Sequence, residues 1–139
     1  MATIKFKPPN EPEITNPPME MLRQLILKGD EQYWCVGSGE GSLITDLGPN
    51  ALSLILKEPY GFLLWYVTET GNDFVSISTT DFSTTVKVFV GGDPWVVPTG
   101  FFVSRQKAWE AVEDFCRSGQ MSKSLRWGML ADQKWDFGG

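Results

Sequence analysis

The sequence predicts an α+β domain, an antiparallel β meander with two main helices packed on the sheet. Three observations lead there. Residues 32–103 break into short apolar or alternating runs divided by Gly, Pro, Asn and Asp, the pattern of strands joined by tight turns. Two stretches on either side of that block, near residues 16–30 and 104–119, carry apolar residues at helical spacing. At 139 residues, 42% of them hydrophobic and 21% charged, the chain has the size and composition of one globular domain with its own core.

In chain order, a short strand is expected at Thr3–Lys7, followed by a Pro-rich connector to residue 15. "TNPPMEMLRQLILKGD" reads as the first helix. Asn16 is suited to cap it, Pro17 to its first position and Gly29 to its exit, with Met21 or Leu22, Leu25 and Ile26 as the apolar stripe. "QYWCVG", "SLITDL", "ALSLILK", "FLLWYVT", "DFVSIST" and "TVKVFV" are the strand candidates. Leu52, Leu54 and Leu56 alternate, as do Val86, Val88 and Val90, which predicts one buried face for each of those strands. "FLLWYV" is apolar throughout and is expected at the centre, covered on both sides.

The second helix has the clearest signal. Ala108, Trp109, Ala111, Val112, Phe115 and Cys116 fall on one arc, and Gln106, Lys107, Glu110, Glu113, Asp114 and Arg117 on the other. Ser104 is placed to cap it and Ser118–Gly119 to end it. Glu113 and Arg117 have the spacing of a favourable surface pair. Residues 128–139 are expected as a C-terminal tail of the single domain 1–139.

The inventory of reactive groups argues against catalysis. Without histidine there is no Ser-His-Asp or Cys-His machinery and no imidazole metal site. No EF-hand spacing is visible, and neither a metal nor a cofactor is expected. Ser104-Arg105-Gln106-Lys107 matches Ser-x-x-Lys, but its companion Ser-Asp-Asn and Lys-Thr-Gly elements are missing, and a helix cap explains the same residues. "GSGEGS", Gly37 to Ser42, leads into a strand-like run and lacks the Walker lysine, so it reads as a hairpin loop. Glu110, Glu113 and Asp114 lie on the solvated helix face, where nothing would tune them for acid–base work. Cys35, Cys116, Trp34, Trp65 and Trp109 are expected in the core.

A net charge of −5 offers no attraction to nucleic acid or to an anionic membrane, and favours a basic protein partner. The first ten residues have no apolar signal region, and no run is apolar enough to span a bilayer, so a cytoplasmic location is expected. Trp95, after the Gly-Gly-Asp-Pro turn, has two readings: a rim residue at a binding site beside Asp93, or a ring folded back over the sheet edge.

"VPTGFFVSRQKAWEAVEDFCRSGQMSKSLRW" resembles immunity-protein family one of bacterial polymorphic toxin systems, whose members are often encoded beside nucleic-acid deaminase toxins. The likeness covers about residues 50–130 and is carried by Ser104, Ala108, Val112, Phe115, Gly119, Leu125 and Trp127. It implies a non-enzymatic domain that binds a cognate toxin and blocks its active site or substrate groove, with acidic groups imitating the charge of nucleic acid. Glu69, Asp73, Asp81, Asp93 and Trp95, in or next to loops between strands, are the expected toxin-binding residues. A ligand- or peptide-binding scaffold is the second class, and a carboxylate-only hydrolase the third.

Overall fold

The computed structural model describes residues 3–132. In chain order they form β1 (Ile4–Lys7), β2 (Ile14–Thr15), α1 (Met19–Lys28), α2 (Glu31–Trp34), β3 (Gly41–Thr45), β4 (Ala51–Lys57) and β5 (Gly61–Val67). There follow β6 (Phe74–Ile77), β7 (Thr85–Val90), β8 (Asp93–Pro98), β9 (Phe102–Val103), α3 (Arg105–Ser118) and β10 (Arg126–Met129). The main sheet runs β10-β6-β5-β4-β3-β1-β2 with antiparallel pairing throughout, so β3 to β6 form the expected meander. β7 and β8 pair with each other as a separate two-stranded sheet.

α3 follows its sequence closely. The Ser104 hydroxyl accepts the N–H of Lys107, and Gly119 closes the helix at φ +73°, a left-handed conformation costly for any residue with a Cβ. All six residues of the apolar arc are buried. They pack with Leu22 and Ile26 of α1 against Phe6, Leu43, Leu52, Leu54, Leu64 and Tyr66 on the inner face of the sheet. On the wet side Arg117 pairs with Asp114 at 3.4 Å rather than with Glu113. Arg105 forms an ion pair with Glu58 and donates to the carbonyls of Ile26 (3.1 Å) and Gly29 (2.7 Å), tying the start of α3 to the end of α1.

Several local expectations are corrected. "QYWCVG" is not a strand: Asp30 caps the short α2 by accepting the Tyr33 N–H at 3.0 Å, and Trp34 is driven into the core against Phe62. Asn16 does not cap α1. It sits at φ +52° and closes the β1–β2 hairpin, donating its N–H to Ile4 O and accepting the Ile4 N–H on its side chain. α1 therefore starts only after Pro18, without a side-chain cap. Gly29 does end α1, but in an extended rather than left-handed conformation.

β4 is buried on both faces, not one: Leu52, Leu54 and Leu56 face the helices while Ile55 faces the other way. "TVKVFV" leaves the meander because its valine face docks on the outer side of the sheet, where Val88 and Val97 join Ile55, Leu63, Val75 and Ile77 in a second, smaller core. The strand β10 takes residues 128 and 129 from the expected tail, and residues 133–139 of that tail lie outside the described residues.

β5 has a divided edge. Its first half pairs with β9 and its second half with β6, leaving Leu64 at the fork. The fully buried Ser76 fills the gap, accepting the Leu64 N–H at 3.0 Å and donating to Phe101 O at 2.7 Å. A hydroxyl does there what a ladder bond does elsewhere, because neither backbone group could stay buried unpaired.

Candidate protein-binding surface

The turn after β5 is braced from inside. The Asp73 carboxylate accepts the Thr68 N–H at 3.0 Å on one oxygen and the Trp65 indole N–H at 3.1 Å on the other, and the Asp73 carbonyl accepts the Leu130 N–H. Asn50 accepts the Glu69 N–H at 3.3 Å and donates to the Tyr66 hydroxyl, which itself donates to Gly119 O at 3.0 Å. The exposed Glu69 side chain is thus carried on a turn linked by hydrogen bonds to the end of α3. Each Asp73 oxygen accepts one of these hydrogen bonds, from the Trp65 indole of β5 and from the Thr68 N–H of the turn.

The β7–β8 hairpin turns at Gly91 and Gly92, at φ +59° and +89°, which glycine adopts without strain. Asp93 and Pro94 stand exposed just after the turn. Trp95 is half-buried, its ring 4.8 Å from that of Trp65 at 56°, over the interior strand β5 rather than the sheet edge. Asp73, Trp65 and Trp95 are therefore contiguous, while Glu69 shares the turn of Asp73 and Asp93 lies two residues before Trp95. Asp81 is apart from these: it lies before β7, beyond the Thr85–Pro98 end of the hairpin, whereas Asp93 is at the tip. Its carboxylate accepts the Ser83 N–H at 3.1 Å, and hydrogen bonds from the Ser83 hydroxyl and backbone hold its pKa below the usual carboxylate value.

Sequence reasoning missed a trough of about 450 Å³ on the outer sheet face beyond the hairpin. Ser42, Ala51 and Ser53 form its floor, and Lys7, Ser38 and Glu40 line it as well. The available signal was the run of small or polar residues at the outward positions of β3 and β4, where larger side chains would have filled the space. Lys7 donates its ammonium to the carbonyls of Pro8 (2.9 Å) and Glu11 (2.6 Å), so its charge is held at the N-terminal connector.

The remaining expected residues are structural in position. Ala108, Val112 and Phe115 lie in the inner core, with Leu125 and Trp127 half-buried against it. The Trp127 indole N–H donates to Ser122 O at 2.8 Å, and its ring meets Tyr66 edge-on. Cys116 is buried, and burial with Glu113 nearby pushes its thiol up to about 11. Cys35 is corrected: it is exposed, with its thiol donating to Leu56 O at 3.3 Å. Trp65 is likewise only half-buried, at the margin of the second core.

Among the described residues no helix is long and apolar enough to cross a membrane, and no three His, Cys, Asp or Glu side chains stand close enough to hold a metal ion. No protein-family model matches the chain, and no curated protein matches it either.

Proposed function

We propose that this chain is a bacterial immunity protein, one that neutralises a toxin acting on nucleic acid by occupying the toxin's active site or substrate groove, without chemistry of its own. The observation that carries this reading is the presentation of carboxylates on braced loops. Glu69, Asp81 and Asp93 are exposed and form no ion pair among the described residues. The turn beneath Glu69 is fixed to the body by internal hydrogen bonds, whereas Asp93 is ordered only within its own hairpin by the strand ladder. Acidic groups held in place beforehand lose little freedom on binding and steer a basic partner toward the surface. The overall charge of −5 acts in the same direction. The cytoplasm is the compartment in which such a protein would guard its host.

The outer trough favours a second reading, a binding domain for a peptide or small polar ligand, since its floor is small-residued and its rim polar. Calorimetry with the C-terminal domain of a toxin encoded beside this chain, over a salt series, separates the two. A tight one-to-one complex that weakens with salt is expected. Heat indistinguishable from dilution at micromolar concentration would remove that pairing and favour the ligand-binding reading.

A further inference from the structure

We infer that the β7–β8 hairpin is a hinged flap that opens as a unit from the outer face of the sheet. Its hydrogen-bond ladder is self-contained, with register pairs from Thr85–Pro98 to Val90–Asp93, so it can move without breaking its own strands apart. Contact with the body is chiefly apolar: Val88, Trp95 and Val97 rest on Ile55, Leu63 and Val75. Non-directional contacts of that kind are lost progressively as surfaces separate, unlike a shared ladder.

The two ends of the hairpin are fastened differently. At the base, the Gly100 carbonyl accepts the N–H groups of Ser78 (2.7 Å) and Thr79 (3.3 Å) and the Ser78 hydroxyl (3.0 Å), which makes a firm pivot. A Cβ at Gly100 would come within 2.4 Å of Thr79 O, so the pivot requires glycine for its close approach. The tip is latched by the Gly92 N–H on Ser38 O at 2.9 Å. Between base and tip lies a void of about 10 Å³ lined by apolar side chains, Trp65 and Trp95 among them. It has no polar lining to order a water, and the rings around it forgo part of their dispersion contact. Opening at the tip uncovers Trp65 and the strip beside it, and swings Asp93 away from the body.

Native-state hydrogen exchange on the isolated protein tests this without any partner. Once lifted from the sheet, a two-stranded hairpin is only marginally stable on its own, so its ladder frays and the amides of β7 and β8 are expected to exchange through an opening that leaves the β4–β5 ladder protected. Trp95→Ala should speed exchange in the hairpin by about tenfold or more while leaving β4 and β5 unchanged. Trp95→Phe, which keeps an aromatic ring in place, should give a smaller acceleration with the same distribution and serves if the alanine variant fails to fold. A single exchange behaviour shared by the hairpin and the β4–β5 ladder, shifted equally by either substitution or by neither, would overturn the flap.

Discussion

Both faces of strands β4 and β5 carry apolar residues, and they are closed in different ways. On the inner face, Leu54, Phe62 and Leu64 are fully buried under helices whose ends are tied down by a serine cap, a left-handed glycine and the Arg105 hydrogen bonds. On the outer face, Ile55 and Leu63 are covered by a hairpin whose own Trp95, Val86 and Val90 are only partly buried. Beyond that hairpin the outer face is an open trough. The contrast assigns stability to one side of the sheet and leaves the other available for partners, where incomplete burial costs less than it would in the main core.

If the inner face is the framework, the largest loss should come from emptying it. Phe115→Ala is expected to destabilise the protein by about 3–5 kcal/mol, measured by urea unfolding. Alkaline pH should weaken the same face through Cys116. Its folded pKa is raised from 9.0 to about 11, so the stability it supports is intact below pH 9 and is lost as pH rises through 11. A Cys116→Ala variant followed over that window should lack that part of the slope, which amounts to no more than about 2–3 kcal/mol in the parent.

Ser76→Ala, at the fork where β6 and β9 share β5, should cost about 1–3 kcal/mol by stranding the Leu64 N–H. Ser104→Ala should cost about 1 kcal/mol through loss of the α3 cap. The smallest effect is expected on the exposed loops. Glu69→Gln combined with Asp93→Asn should change stability by no more than about 0.5 kcal/mol while weakening the complex with a basic partner. A large stability loss from that pair would collapse the distinction between the faces.

How far each face could be read from the sequence follows the same division. α3 was legible because cap, apolar arc and glycine exit agree within one local segment, and local agreement needs no knowledge of neighbours. The meander was legible from alternation and turn chemistry. "QYWCVG" misled because Tyr33, Trp34 and Val36 have strand propensity, whereas Asp30 three residues before Tyr33 was the stronger, overlooked signal.

The detachment of β7 and β8 could not be read locally. Val86, Val88 and Val90 alternate equally well in a sheet interior and in a hairpin lying across one, and only tertiary contacts decide. The candidate binding residues were legible as exposed turn carboxylates at Glu69, Asp81 and Asp93. The internal engagement of Asp73 depends on Trp65 eight residues earlier, and the tilted ring contact of Trp95 depends on a strand thirty residues away, so neither had a local mark. The trough arises where two neighbouring strands, β3 and β4, place small side chains side by side, which a single sequence shows only after its register is known.

The most direct measurement is hydrogen exchange on the protein with and without the proposed partner, the C-terminal domain of a toxin encoded beside it, resolved along the chain. Binding is expected to protect the turn at 68–73 and the hairpin at 85–98 while leaving α1 and α3 unchanged. Protection concentrated in α1 and α3, with the turn and hairpin unaffected, would contradict the assignment of the outer face and its loops as the working surface.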